Sequence, residues 1–335
     1  MAATIKDIAK AVGVNPSTVS RVINGTATIS EETKDKIIKA MRDMDYHPNS
    51  YARSLANGNT FTIGLVIDAG NKDAFSNAFF IQSVTAIEAV AQEKGYNVLI
   101  TNDSHAEHDN TITNLVLERK VDGLIIPVQC MNDDLVEIMI SNDFPFVIMG
   151  EPQKNKSRIC WVDVDNEQGA ELAVKHLIEK GYKNPMLLVE DKKTIFESKR
   201  MKGFQKECKK SGIADPKVHT FTEHKMEDIL DDTIAGKRDT DSFICTNNII
   251  AFRVLKAAKS KKIKIPKQLG LITFDNYPLA EYMEPALSVV DIDTYKMGMS
   301  AAELLFTFMK ARDKKVGSIL VETQIIERDS TRYKK

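Results

Sequence analysis

The 335-residue sequence is poor in cysteine and lacks long apolar runs. Its four cysteines are far apart, without a CxxC spacing, so neither a zinc site nor a disulfide framework is indicated. We expect small buried thiols in a reducing cytosol. No apolar run approaches the ~18 residues of a membrane span, and the polar N-terminus does not have the features of a signal peptide. We therefore expect a cytoplasmic protein with no membrane contact.

Enzyme signatures are missing as well. The chain contains no GxGxxG, Walker, GxSxG or HExxH sequence. Of its six histidines only His105 and His108 are close together, in a polar segment where solvated side chains are the usual case. We expect no catalytic residues, no metal and no cofactor.

Composition and charge set further limits. An apolar fraction of 43% and a charged fraction of 28% are typical of a globular protein, and the length suggests two or three domains. The net charge is only -1. Residues 1–58 hold eight Lys and Arg against six Asp and Glu, or +2, which leaves -3 for the remainder. Any affinity for nucleic acid must therefore come from placed residues and dimerisation rather than from overall charge.

The first 25 residues predict two short helices joined by a tight turn. Apolar residues follow one helix face from Ile5 to Val12, and Gly13 ends that helix. Asn15 can cap a second helix, in which Pro16 suits the first turn. Its outward face carries short polar side chains and one arginine: Ser17, Thr18, Ser20, Arg21 and Asn24. Such a helix-turn-helix could read base edges in a major groove, whereas the plainer alternative is a helical hairpin with a polar face.

A third helix and a short connecting segment follow. Ser30 can cap this helix, and Pro48 ends it. Its predicted inward residues are Ile37, Ile38, Met41 and Met44. Residues 1–47 thus form an all-α head, and residues 48–60 a connection. The part at 49–58 is too short to be a stable helix alone, so a flexible linker with one exposed leucine is the alternative.

From residue 61 the pattern becomes that of an α/β protein. Apolar runs at 63–67, 97–101, 123–126 and 146–149 alternate with amphipathic helices and predict buried parallel strands. After a charged spacer at 153–158 the alternation restarts, with strands centred on Val162, Leu188, His219, Ile244 and Ile272. We therefore expect two doubly wound parallel-sheet lobes.

The chain should pass between these lobes more than once. We expect the helix at 294–310 to return to the first lobe and the strand at 319–326 to cross between both. The first lobe would then comprise about 61–160 plus 293–322, and the second about 161–290 plus 323–335. Ligands of such folds bind between the lobes, outside the carboxyl ends of the strands. Trp161, the only tryptophan, would pack in a core or line this cleft.

Three stretches resemble the LacI/GalR family of bacterial transcription regulators: residues 4–9 (TIKDIA), 16–25 (PSTVSRVING) and 46–56 (YHPNSYARSLA). Residues 49–58 look most like the maltose-operon repressors and catabolite-control proteins of Gram-positive bacteria. The resemblance implies a homodimeric repressor that binds a palindromic operator. It also implies lobes of the periplasmic-binding-protein type that hold a small effector. The chain ends without a heptad extension, so we expect a dimer rather than a tetramer.

The resemblance also implies DNA contacts. Thr4 and Lys6 match its first motif, and the helix-turn-helix residues named above match its recognition helix. In the family the segment at 49–58 forms a hinge helix on specific DNA and enters the minor groove. By position, Asn49, Ala52 and Leu55 would contact DNA there, with Leu55 as the wedge between base steps.

Effector residues are implied at strand ends. The first lobe would supply Asp68, Phe79 and Phe80; the second would supply Arg200, Phe221, Asn247 and Asp275. Carboxylates, an amide, an arginine fork and aromatic rings suit a neutral polyhydroxylated ligand such as a maltose-type sugar. Two departures from the family pattern are Asn247-Asn248, where Asn-Asp is usual, and Ala78, where proline is usual.

Two alternatives remain open at this point. A catabolite-control protein would respond to a phosphorylated carrier protein that docks on the first lobe. A sugar-binding protein could instead use the head as a protein-interaction module and bind no DNA.

Overall fold

The computed structural model of the chain describes residues 3–24, 29–47, 58–67, 78–102, 111–221, 226–235, 239–310 and 317–332. By its contacts the chain divides into two units, Met1–Phe61 and Thr62–Lys335. Among the described residues, no helix is long and apolar enough to cross a membrane. The four cysteines are free thiols, and all but the half-buried Cys160 are buried.

The described residues of the first unit form three short helices whose ends follow from local sequence. They are α1 (Ile5–Val12), α2 (Pro16–Asn24) and α3 (Glu31–Asp43). Thr4 caps α1 through a reciprocal capping box with Asp7, which satisfies amide groups of the first turn. Gly13 ends α1 with φ 75°, a left-handed conformation that glycine adopts without a Cβ clash. Ser30 caps α3 by accepting a hydrogen bond from the amide of Thr33.

The core of this unit is small. Its fully buried side chains are Ile8, Ala9, Val19 and Ile37. The prediction that Met44 points inward is wrong, because this side chain is 39% exposed. The helix ends at Asp43, and Asp45 turns the chain with φ 47°. As a result Tyr46, rather than Met44, packs against the core.

The second unit begins with a lobe built on a parallel sheet. Its strands are β1 (Thr62–Ile67), β2 (Asn97–Asn102), β3 (Gly123–Pro127), β4 (Phe146–Met149), β5 (Cys160–Val164) and β11 (Ile319–Val321), in the spatial order β11-β5-β4-β3-β1-β2. The helices are α4 (Ala78–Glu93), α5 (Thr111–Leu117), α6 (Asp133–Ser141) and α11 (Thr294–Lys310). Apolar side chains from α4 and α11 cover one sheet face and those from α5 and α6 the other, which makes this lobe doubly wound.

The other lobe repeats this plan. Its strands are β6 (Pro185–Val189), β7 (Lys217–Thr220), β8 (Ser242–Cys245), β9 (Gly270–Phe274), β10 (Ser288–Ile292) and β12 (Thr323–Ile326), in the order β12-β10-β9-β8-β6-β7. Its helices are α7 (Asn166–Glu179), α8 (Ile195–Lys210), α9 (Met226–Ile234) and α10 (Asn248–Ser260). Helices α7 and α8 cover one face, and α9 and α10 the other. Only the pairing of β12 with β10 is antiparallel among the described strands.

The chain passes between the two sheets three times within its described residues. It leaves the first sheet after Val164, returns to the first lobe between Ile292 and Thr294, and crosses again between Val321 and Thr323. Helix α11 packs along α4 in the first lobe. The last two strands lie one in each sheet, which agrees with the predicted crossing.

Three details of the sheets differ from the sequence-based prediction. The strand around Val162 was predicted to open the second lobe but pairs with β4 in the first sheet. The charged spacer before it is a loop within that lobe, closed by a hydrogen bond from the Gly150 amide to the Val162 carbonyl (2.8 Å). Strand β10 was not predicted. Strand β2 was predicted to be buried, but it lies at the sheet edge with Leu99 and Ile100 about 40% exposed.

Two glycines allow close helix packing. A Cβ at Gly203 on α8 would lie 2.1 Å from the carbonyl oxygen of Glu167 on α7. A Cβ at Gly298 on α11 would lie 2.4 Å from the carbonyl oxygen of Ser83 on α4. Both separations are far below van der Waals contact, so any larger residue would force the helices apart.

Candidate functional site

The head presents part of its predicted DNA-binding face to solvent. Lys6, Ser17 and Arg21 are exposed, and Thr18 and Ser20 are half-buried. Thr4 is committed to the end of α1, since its hydroxyl donates to the Asp7 carboxylate at 2.7 Å. The side chain of Asn24 and the residues Asn49, Ala52 and Leu55 lie outside the described part of the chain.

A cavity of about 510 Å³ lies between the two lobes of the second unit. This volume falls within the range of about 300–1,000 Å³ that is usual for ligand pockets. Much of its lining is apolar, with contributions from Leu65, Phe80, Ile87, Met149, Phe196 and Met297. Four predicted effector residues line it: Phe80, Arg200, Asn247 and Asp275.

Arg200 on α8 is the central polar group of this cavity. The residue is 5% exposed, and its Nε donates to Asn166 Oδ1 at 2.9 Å. Its Nη1 donates to the carbonyl of Thr246, and its guanidinium lies 4.0 Å from the ring centroid of Phe274. Burial lowers the pKa of Arg200 while nearby carboxylates oppose that change. The hydrogen bonds to Asn166 and Thr246 hold the guanidinium fork in one orientation, although they use part of its donor capacity inside the protein.

Asp275 follows β9 and faces this arginine. Its Oδ1 lies 3.9 Å from Arg200 Nη2, and its backbone has φ 70°, a left-handed conformation that is uncommon for residues other than glycine. Burial raises the pKa of Asp275, and the charge of Arg200 counteracts this. The carboxylate is about a quarter exposed and forms an ion pair at long distance only, so it can accept hydrogen bonds from a ligand.

A platform of buried polar groups supports Arg200. The Glu197 carboxylate is fully buried and accepts from the amides of Glu190 (2.9 Å) and Asp191 (2.6 Å) and from the Thr246 hydroxyl (2.6 Å). These bonds fix the turn after β6 and the end of β8, where Thr246 offers its carbonyl to Arg200. Glu197 was not predicted from the sequence, since its role depends on strands far apart in the chain.

Asn247 has fewer free hydrogen-bonding groups for a ligand than the sequence suggests. Its Oδ1 caps α10 by accepting from the Ile250 amide (2.9 Å), and its Nδ2 donates to the Glu190 carboxylate (2.9 Å). Only one amide N–H and one lone pair are left for a ligand.

The first lobe adds two carboxylates that were not predicted. Asp163 at the end of β5 accepts from the amides of Glu151 (3.0 Å) and Val164 (2.7 Å), and burial raises the pKa of Asp163. Glu151 follows β4 and also lines the cavity. Their positions after neighbouring parallel strands are the signal that could have identified them. This signal was missed because β5 was predicted to belong to the second lobe.

Other predicted residues are placed elsewhere. Phe221, predicted as an effector residue, does not line the cavity, because its ring packs in the core of the second lobe, 5.3 Å from the Arg253 guanidinium. Its amide continues the strand pairing to the Val189 carbonyl, which turns the side chain inward. Trp161 belongs to the core of the first lobe. Asp68 and the side chain of Phe79 lie outside the described residues.

Comparisons with known proteins match both parts of the chain. Residues 4–49 match the model of the bacterial regulatory proteins of the lacI family, and residues 174–331 match a periplasmic binding protein-like domain. The chain is 32% identical over 314 residues to the HTH-type transcriptional regulator MalR of Streptococcus pneumoniae, covering 91% of this chain and 92% of that protein. It is 29% identical over 338 residues to the HTH-type transcriptional repressor PurR of Vibrio atlanticus, covering 98% and 99%.

The fold is also similar to solved structures. The lac repressor dimer bound to operator and the anti-inducer ONPF superimposes with a TM-score of 0.75 at 20% identity, covering 99% of each chain. Similarity to MalR at this identity and over this length shows the family. The chain belongs to the LacI family of DNA-binding transcriptional regulators.

Proposed function

We propose that this regulator is a repressor whose affinity for a palindromic operator is controlled by a small neutral sugar in the cavity between its lobes. The observation that carries this proposal is the pairing of the Arg200 fork with the available Asp275 carboxylate in a cavity that also has apolar walls. Vicinal hydroxyls of a sugar can accept hydrogen bonds from the Arg200 guanidinium and donate to the Asp275 carboxylate, while the apolar walls contact the faces of the sugar ring.

Charge narrows the ligand class. The cavity is lined by the carboxyl groups of Glu151, Asp163 and Asp275 and by one guanidinium, that of Arg200. The pKa of Glu151 is lowered, since hydrogen bonds from Lys156 and Lys199 outweigh the opposing effect of burial. Among the described lining residues, the one guanidinium already engages Asn166, Thr246 and Asp275, so a phosphate or carboxylate ligand would find little counter-charge, whereas a neutral polyol needs none. Within this class we propose a maltose-type disaccharide or oligosaccharide, because MalR is among the sequence relatives and a similar solved structure is named a probable maltose operon transcriptional repressor.

Operator binding is proposed to use a homodimer. Large apolar side chains are exposed in both lobes: Ile81, Leu99, Ile100 and Leu117 in the first, and Ile249, Leu279 and Tyr282 in the second. We propose that these side chains belong to one interaction surface, since a contiguous exposed apolar patch marks a contact with another protein. A second copy would cover it by two-fold symmetry, and two heads would then reach two half-sites. We further propose that Ser17, Thr18 and Arg21 read bases and that Asn49, Ala52 and Leu55 bind the minor groove.

The direct test is isothermal calorimetry of the full chain with maltose, maltotriose and cellobiose, with glucose 6-phosphate as the anionic comparison. The same sugars are then added to a gel shift with a palindromic operator. We expect a neutral sugar to bind and to change operator affinity, and the phosphorylated sugar not to bind. If no neutral sugar binds but a phosphorylated carrier protein alters operator affinity, the cavity is not the control site.

A further inference from the structure

A single buried carboxylate connects the two lobes beside the cavity. Glu151 follows β4 of the first lobe and is 8% exposed. One carboxylate oxygen accepts from Lys156 in the same lobe, and the other lies 3.1 Å from Nζ of Lys199 on α8 of the second lobe. Glu151 therefore contacts a lysine in each lobe, and the contact with Lys199 connects the two lobes.

The contact between Glu151 and Lys199 lies next to the polar residues of the cavity. Lys199 immediately precedes Arg200 on α8, and Arg200 is the buried arginine of the cavity. On the other side, the Glu151 amide donates to the Asp163 carboxylate at 3.0 Å, and Asp163 lines the same cavity. The bridge therefore joins the first-lobe segment that is bonded to Asp163 to the second-lobe helix that carries Arg200.

We propose that the Glu151–Lys199 ion pair sets the separation of the two lobes, with Glu151 as a positioning residue for the effector cavity. Loss of Lys199 or of the Glu151 charge removes the attraction that holds the segment after β4 against α8, which favours a wider lobe separation where the remaining charged groups are more fully hydrated. A ligand that needs contacts from both lobes would then bind to a smaller fraction of molecules. This last consequence depends on the proposed sugar-binding function, whereas the lobe separation itself does not.

The experiment compares the full chain with Glu151→Gln and Lys199→Gln in the absence of ligand. Two matched controls are Lys156→Gln, which removes the contact within the first lobe, and Lys202→Gln. Lys202 lies on the same helix as Lys199 but pairs with Glu167 inside the second lobe at 2.8 Å. Small-angle X-ray scattering measures the radius of gyration, and amide hydrogen exchange measures opening of residues 149–156 and 194–200.

We expect Glu151→Gln and Lys199→Gln to increase the radius of gyration and to speed exchange at least threefold in both segments. The controls should match the wild type, and the double variant should open no further than either single variant. Unchanged scattering and exchange in Lys199→Gln, a variant of a partly exposed side chain, would overturn the proposal. So would equal opening in Lys202→Gln.

Calorimetry with maltose separates the two proposals. If maltose is a ligand, both bridge variants should bind it at least threefold more weakly while the two controls bind normally. Failure of maltose to bind the wild type counts against the proposed sugar. The ligand-free scattering and exchange still decide whether the bridge sets the lobe separation.

Discussion

At the scale of single residues, Arg200 shows what is needed to hold a charge inside a ligand cavity. Its guanidinium is surrounded by Asn166, the Thr246 carbonyl, the ring of Phe274 and the carboxylate of Asp275. Lysine could not replace it, since a single ammonium group lacks the planar fork that bonds several partners and stacks on a ring.

Asp275 allows a prediction about pH. Protonation of the Asp275 carboxylate removes its charge and part of its capacity to accept hydrogen bonds, so sugar binding should weaken as the pH falls. Because burial raises the pKa of Asp275, this loss should begin above the ordinary aspartate value of about 3.9. Asp275→Asn should weaken binding about 10- to 100-fold, which corresponds to the roughly 1.5–3 kcal/mol of hydrogen bonds to a charged group.

Calorimetry with maltose between pH 4 and 8 measures both effects. The Asn variant should lose most of the pH dependence while operator binding without sugar stays near that of the wild type. Asp163, whose pKa is also raised by burial, would contribute to any dependence that remains. Unchanged affinity in Asp275→Asn would remove Asp275 from the binding site.

Arg21 supports a prediction for the head. It is exposed on α2, where a bidentate contact to a base would discriminate among sequences. Arg21→Ala should cost about 1–3 kcal/mol on the operator, with a smaller loss on random DNA, as measured by fluorescence anisotropy at fixed salt concentration. Equal losses on both would identify Arg21 as a phosphate contact.

At the scale of helices and strands, the α7–α8 pair positions Arg200, a proposed effector residue. Asn166 begins α7 and Arg200 lies on α8, and their hydrogen bond requires the close helix approach at Gly203. The approach leaves no room for a side chain there, since the nearest atom is a backbone carbonyl oxygen.

Gly203→Ala should therefore destabilise the protein by about 1–3 kcal/mol through overpacking. It should also weaken sugar binding, since Arg200 lies one turn earlier on the same helix. Differential scanning calorimetry and maltose titration measure the two effects. Gln205→Ala, at an exposed position of α8, is the control and should change neither. A Gly203→Ala protein as stable as the wild type would show that the helices separate without strain.

At the scale of the whole molecule, the two-lobe unit supplies both a cavity and a surface for a second copy. Ile249 is 58% exposed as the second residue of α10. An aspartate at this position suits the helix N-terminus, so Ile249→Asp should fold normally while placing a charge in the proposed dimer interface.

The expected result for Ile249→Asp is a shift from dimer to monomer in sedimentation at micromolar concentration, with much weaker operator binding. Lys175→Asp, on the exposed side of α7, should remain dimeric. A stable dimer of Ile249→Asp would place the interface elsewhere.

The sequence alone determined the local elements of this protein. The three helices of the head were predicted because capping residues, Gly13 and apolar spacing act within a few residues of one another. Buried parallel strands were predicted from short apolar runs for the same reason, whereas Arg200 and Asp275 were predicted from their match to effector positions of the LacI/GalR family, and both line the cavity.

Only the tertiary structure decided which elements meet. It placed β5 in the first sheet, turned Phe221 into the core, brought Glu151 and Asp163 to the cavity, and bonded the buried Glu197 to Thr246 behind it. Each of these outcomes depends on strand pairing or helix packing between residues far apart in the chain. A sequence pattern records whether a side chain is apolar or charged, whereas its neighbours across a sheet are set by the packing of the whole unit.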